Sequence, residues 1–386
     1  MAKLIYCVEN KLGGVSSLNY NLMSFAPDKG GEQWIVHIDM KESDMARTAL
    51  EYPVSRNIDF QYSSRENRYS VIRRLRGLIP EEPGVLIVNY HLEMEMLDNF
   101  PVKQTVYQLV HDNYNFKLAL RYHHVVDVFI AHNKAIYERL VGEMPQRVSD
   151  IFYLRHGVML PPFSRQQNAG NNRSPLKLLF LGRMTAMKGV FDLPVINDLL
   201  RKKEIAFEWT CIGNGPDLPA IREKWNPLDP VTFISPSSND EVLRIAGMHD
   251  VFVLPTKFEG SPVSLLETMS VGLVPVITDL EGGIRETVDD RIGYKIPEGD
   301  NNGFADAIGL LYHNRNLLAE MSINCRNKIM ENFNIVDTAR SYHDLFMQFG
   351  TRFRNKSIKK AKVGAKLDQP WLPSHITRYL RTLLNK

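Results

Sequence analysis

Two glutamates eight residues apart, Glu259 and Glu267, flank the Gly-Ser-Pro of "LPTKFEGSPVSLLETMSVGLVPVIT" (254–278). Two cations, Arg183 and Lys188, sit closely spaced in "LGRMTAMKGV" (181–190). Carboxylates accept hydrogen bonds from hydroxyl groups, whereas a guanidinium fork beside an ammonium suits a diphosphate. Spacing by itself carries no weight: a glutamate pair at this distance arises about once by chance in such a chain. Lone Arg and Lys residues are also more often solvated surface cations. The weight comes from the elements that hold these residues.

"DVFVLP" (250–255) has the apolar run of a buried strand. "SPVSLLETMSVG" reads as a complete short helix, with Ser261 as N-cap, Pro262 as first helical residue and Gly272 as the stop. Glu259 then precedes the helix and Glu267 lies on it. The N–H groups of Val263, Ser264 and Leu265, with Gly260 and Ser261 beside them, open into the same space. A helix start attracts phosphate. A carboxylate there would repel phosphate, so the glutamates belong to hydroxyls of a sugar or ribose. "CIGNGPDL" (211–218) adds Gly213 and Gly215 after another strand, half of a dinucleotide fingerprint. Its third glycine and distal acid are missing, so a nicotinamide cofactor is not supported and a plain turn fits as well.

Along the chain, short apolar runs alternate with helical patterns. The N-terminal half has strand candidates at 3–8, 33–38, 85–90, 104–110 and 126–131, with helices at 14–25, 67–78 and 134–141 among those between them. A polar stretch, "SRQQNAGNNRSP" (164–175), breaks the pattern, and a second series follows at 176–182, 207–213, 231–235, 250–255 and 273–278. Alternation of this kind predicts right-handed βαβ units and parallel sheets covered on both faces. The expected organisation is a Rossmann-like domain at 1–163, a linker at 164–175, a second Rossmann-like domain at 176–350 and a basic tail at 351–386. Ligands of such sheets bind beyond the carboxyl ends of the strands, in loops.

The 386 residues are 44% hydrophobic and 24% charged, with no run long enough to span a bilayer and no apolar leader. Cys7, Cys211 and Cys325 are too scattered for a disulfide framework or a zinc motif, which points to a reducing, cytoplasmic setting. There is no Asp-x-Asp, so no metal site and no cofactor is expected.

Six segments in order resemble the nucleotide-sugar domain of retaining family 4 glycosyltransferases (glycosyl transferases group 1), which have the GT-B fold. They are "LGRMTAMKG", "IGNGPDL", "PTKFEGSPVSLLETMSVGLVPVIT", "GGIRETV", "GYKIPEGD" and "NFNIVDTARSYHDLF", running from Leu181 to Phe346. The resemblance implies α/β architecture with two doubly wound domains facing across a cleft. It also implies transfer of a sugar from a nucleotide-sugar donor to a glycan or lipid-linked glycan, in cell-surface polysaccharide assembly. It places Arg183 and Lys188 on the donor diphosphate, Glu259 on the transferred sugar and Glu267 on the ribose. Backbone at Ile234 and Ser235 would line the base. Further upstream, "KLGGVSSLNYNLM" (11–23) resembles the family's Gly-Gly loop, with Gly13 and Gly14 at the diphosphate. "LVHDNY" (109–114) puts His111 where the family often has a donor-side histidine. Other activities of the same fold, such as nucleotide-sugar epimerisation, and a non-catalytic sugar-nucleotide binder are the alternatives.

Residues 352–386 hold ten Lys/Arg and one acid, Asp368, a charge of +9 on a chain of net +3. Leu372, Ile376, Tyr379, Leu380, Leu383 and Leu384 make one helical stripe. Two readings fit: peripheral contact with an anionic membrane at its inner face, or a helix that packs back on the first domain. Nucleic acid is not an expected partner, because the basic run lacks interleaved aromatics.

Overall fold

A computed structural model describes residues 2–11, 13–27, 31–43, 51–165, 174–235, 238–348 and 363–384. The chain forms two compact units, Met1–Arg155 with Val336–Lys386, and His156–Ile335. The division thus falls eight residues before the expected end of the first domain at 163, and the chain rejoins the first unit at Val336 rather than staying in the second to 350. The physical reason is packing: Tyr342 and Phe346 are fully buried among first-unit groups, Phe346 edge-on to Tyr6 and Tyr107. Most of the expected linker, 166–173, lies outside the described residues.

Unit 1 has a parallel sheet of β1 (Lys3–Glu9), β2 (Glu32–Met40), β3 (Arg56–Tyr62), β4 (Val85–Val88), β5 (Thr105–Val110), β6 (Val128–Ala131) and β7 (Ile151–Tyr153). Their order is β3-β2-β1-β4-β5-β6-β7. β4, β5 and β6 are buried at every position, as strands covered on both faces must be. The edge strand β3 buries only Phe60 and Tyr62 and exposes Arg56, Asp59 and Gln61, so its sequence carries no apolar run.

Unit 2 repeats the plan with β8 (Leu176–Leu181), β9 (Phe207–Ile212), β10 (Val231–Ile234), β11 (Val251–Leu254), β12 (Val274–Thr278) and β13 (Tyr294–Ile296), ordered β10-β9-β8-β11-β12-β13. All the described pairings are parallel. In each unit the chain winds outward one way from its first strand, then crosses and winds the other way. The reversals fall between β1 and β4, and between β8 and β11. Loops leaving the sheet there diverge and leave a crevice. No helix among the described residues is long and apolar enough to cross a membrane.

Candidate functional site

At the reversal in unit 2, the loops after β8 and β11 are locked together by short-range backbone chemistry. The Lys257 N–H donates to the Met187 carbonyl at 2.9 Å, and the fully buried Thr256 hydroxyl lies 3.1 Å from the same oxygen. Gly189 has φ +70°, and a Cβ there would sit 1.8 Å from the Pro255 carbonyl oxygen. Only glycine lets the two loops approach this closely.

The approach brings Lys188 and Glu259 together, 71 residues apart in sequence, in an ion pair of the ammonium with Glu259 Oε1. The Lys188 side chain keeps 28% of its surface exposed and that of Glu259 only 10%, so the cation is the member at the rim. Burial pushes the Glu259 carboxyl up, while Lys188 holds it down. An ammonium has three donors, so Lys188 can keep Glu259 and still reach an anion. Arg183 is exposed at the start of the same loop.

The helix beside this pair runs Val263–Ser270, with Pro262 as an extended N-cap (φ −68°, ψ 109°) that makes no side-chain cap. This corrects the expected start: Ser261 is not the cap and Pro262 is not the first helical residue. The proline sits extended, and its carbonyl accepts the Leu265 N–H at 3.1 Å, which begins the helix one residue later. Leu265 is therefore engaged within the helix, leaving the N–H groups of Val263 and Ser264 as the donors of the first turn. Gly272 does stop the helix, with φ +92°. Gly260 and Ser261 are braced from below, because the Gly283 N–H donates to the Gly260 carbonyl at 3.0 Å and a Cβ on Gly283 would lie 2.6 Å from Ser261 Oγ.

Glu267 faces inward from this helix, 9% exposed, and burial pushes its carboxyl up to about 7 against a hydrogen bond from Asn239. The loops after β9 and β10 meet here as well: the Gly213 N–H donates to the Ile234 carbonyl at 3.1 Å, with Ser235 exposed next to it. Gly213 has φ +139°, and a Cβ would lie 2.0 Å from the Gly182 carbonyl oxygen. Sequence reasoning missed Asp217, which accepts the Ala186 N–H at 2.7 Å and so fixes the turn carrying Lys188. Its signal was the acid after Gly-Pro in "GNGPD". It also missed Thr256 and Asn239, which had no local signal.

Unit 1 has a polar cluster at its own reversal. His111, just past β5, is 7% exposed, and its Nε2 donates to Asn89 Oδ1 at 2.8 Å. Its ring lies 4.4 Å from that of His132. Asn89 is held in turn by the Cys7 carbonyl at 2.8 Å and by Asn115. Glu93, fully buried, accepts the N–H groups of Asn89 (3.3 Å) and Tyr90 (3.2 Å) with one oxygen. Burial first, and Glu9 in addition, push its carboxyl up to about 8, so it is largely neutral at pH 7. Gly13 caps the helix Gly14–Ser24 in an extended conformation, and a Cβ there would meet no atom within 4 Å. Nothing in the chain itself demands a glycine at that position.

Two parallel Rossmann-like domains of these strand orders define the GT-B class. Residues 163–328 match the family model of glycosyl transferases group 1. The chain is 30% identical over 172 residues to the putative colanic acid biosynthesis glycosyltransferase WcaL of Escherichia coli K12, covering 42% of each chain. It is 33% identical over 108 residues to an Escherichia coli UDP-Gal:alpha-D-GlcNAc-diphosphoundecaprenol alpha-1,3-galactosyltransferase, covering 28% of each. The matched stretch thus spans less than half the length of these relatives. Among solved structures, S. aureus TarM with fondaparinux, alpha-GlcNAc-glycerol and UDP superposes with a TM-score of 0.71 at 14% identity, over 90% of this chain and all of that one. Anabaena HepE with UDP and glucose gives 0.71 at 12% identity, with the same coverage. These likenesses fix the fold.

Proposed function

We propose that the protein is a retaining glycosyltransferase that moves a sugar from a nucleotide-sugar to a glycan or lipid-linked glycan in cell-surface polysaccharide assembly. The observation that carries this reading is the Lys188–Glu259 pair at the reversal of unit 2, next to the open start of helix 263–270. The names of the relatives, with their polysaccharide and diphosphoundecaprenol-linked products, support the substrate class.

In this reading the bond from the anomeric carbon to the diphosphate breaks, and the leaving diphosphate keeps the electron pair. The acceptor hydroxyl oxygen bonds the same face of that carbon, and its proton passes to the diphosphate. Lys188, Arg183 and the N–H groups of Val263 and Ser264 hold the growing negative charge; removing one such donor typically costs ~3 kcal/mol. Glu259 accepts from hydroxyls of the transferred sugar, and its contact with Lys188 ties sugar position to phosphate position. Glu267 takes the ribose hydroxyls, Gly213, Ile234 and Ser235 line the base, and Gly260 and Ser261 shape the sugar pocket. Within unit 1, the Gly13–Gly14 helix start and His111 are the donor-side groups that the family resemblance assigns. No cofactor or metal is assigned: the nucleotide-sugar is the substrate, and fixed cations and N–H groups neutralise its charge. Donors of this kind and a lipid-linked acceptor place the reaction at the cytoplasmic face of a membrane, with the 352–386 tail as peripheral contact.

The test is transfer to a diphosphoundecaprenol-linked sugar from a panel of UDP-, GDP- and ADP-sugars, with the product anomer read by NMR coupling. Retained configuration from one donor supports the reading. An inverted product overturns the stereochemistry, and no product from any donor overturns the transfer.

A further inference from the structure

The C-terminal helix, Ser374–Leu384, is strongly amphipathic, and it docks on unit 1 by its polar side. Thr377, 0% exposed, donates to the Leu367 carbonyl at 3.1 Å. Arg381, one turn on, binds the Ser64 carbonyl at 3.1 Å, the Glu66 carbonyl at 2.5 Å and the Asp368 carboxylate at 2.7 Å. Asn67 ties down the preceding turn through the Gln369 and Leu372 carbonyls at 2.9 and 2.7 Å. An amphipathic helix on a soluble domain ordinarily buries its apolar stripe. Here Leu372 and Leu380 are half-buried, but the rest of the stripe faces out: Ile376, Tyr379 and Leu383, at i, i+3 and i+7, are 39%, 65% and 51% exposed, and Trp371 ahead of the helix is 76% exposed.

We infer that this face is an interfacial docking surface for an anionic lipid bilayer. Trp and Tyr beside aliphatic residues fit the boundary between headgroups and acyl chains. Lys366 and His375 are exposed near it in sequence, and Arg378, also exposed, lies 3.6 Å from the Glu66 carboxylate. The segment 352–386 carries +9, six of its ten cations falling at 352–362, outside the described residues. That charge complements an anionic leaflet and opposes burial against a second copy of itself. The bonds of Thr377 and Arg381 fix which side of the helix turns inward, which leaves Tyr379 and Leu383 outward. The surface deepens the membrane-face part of the proposed function, yet its binding needs no turnover.

The experiment is vesicle co-sedimentation of the full chain, without donor or acceptor, on phosphatidylcholine alone and with 30% phosphatidylglycerol (roughly the anionic share in which such charges act). The expected result is binding to the anionic vesicles that weakens with salt. It should fall about fivefold in Lys366→Gln. It should fall at least about tenfold in Trp371→Ser/Tyr379→Ser/Leu383→Ser, whose melting temperature and turnover on a water-soluble acceptor stay at wild type. Equal vesicle binding by the triple variant and wild type overturns the inference. So does wild-type indifference to anionic lipid, or a dimer that the triple variant breaks with no change in vesicle binding. Loss of vesicle binding with soluble-acceptor turnover intact separates this surface from the catalytic reading.

Discussion

Lys188 and Glu259 are each legible in the sequence, because a strand, a loop and a helix start surround them locally. Their contact is not legible, since it depends on the crossing that puts β11 beside β8. The pair makes a specific kinetic prediction. Lys188→Ala and Glu259→Ala should each lower kcat about a hundredfold or more. The double variant should lose much less than the product of the two, because each single change already breaks the shared contact. Steady-state kinetics on the three variants reads this directly, and full additivity would mean the pair is incidental. Glu267 makes a pH prediction. Burial raises its carboxyl from the ordinary 4.5 to about 7 in the fold, so between those pH values the native state binds the extra proton. Stability therefore falls as pH rises from about 4.5 to about 7, by about 3 kcal/mol for this group, and is flat above. Glu267→Gln should flatten that part of the slope in denaturant titrations at pH 5, 6, 7 and 8. Identical slopes in wild type and variant would contradict it. Glu93 escaped sequence reading because a buried neutral carboxyl looks, in sequence, like any helical glutamate.

At the scale of elements, the glycines divide into those the chain needs and those it leaves open. Gly189 stands at φ +70° against the Pro255 carbonyl, so Gly189→Ala must push the β8 and β11 loops apart. It should cost about 3 kcal/mol of stability and take the activity with it, as thermal melts and turnover would show. Gly13 has open space where a Cβ would go. Gly13→Ala should leave the melting temperature within about 1 °C, since surface changes fall within ±0.5 kcal/mol. It should still weaken donor binding, as calorimetry would show, if the space is kept for the diphosphate. The buried strands were readable because parallel strands covered on both faces carry unbroken apolar runs. β3 and β7 in unit 1 and β13 in unit 2 were not: each is an edge strand, and β7 and β13 have three residues apiece. The helix start at 263 was displaced by one residue because Pro262 stayed extended.

At the scale of the whole molecule, the chain's last segment returns to the unit made by its first residues, a long-range closure no local pattern encodes. The amphipathic stripe of the tail was plain in the sequence, but which side it turns inward was not. Asp368, 4% exposed, joins the closure: it accepts the Arg68 N–H at 2.6 Å, the Ala365 N–H at 2.7 Å and Arg381. Asp368→Ala leaves a half-buried guanidinium short of its counter-charge and should cost about 3 kcal/mol. Hydrogen exchange should speed up around 64–68 and 364–384 and stay unchanged in the sheet of unit 2. Faster exchange throughout both units would contradict the two-unit division. The central claim, that unit 2 holds a nucleotide-sugar through Lys188 and Glu259, is tested most directly by nucleotide release from UDP-, GDP- and ADP-sugars in the presence of EDTA. Wild type should release nucleotide from one donor, and Lys188→Ala and Glu259→Ala should lose at least about a hundredfold of that rate. Release that is unchanged in both variants would contradict it.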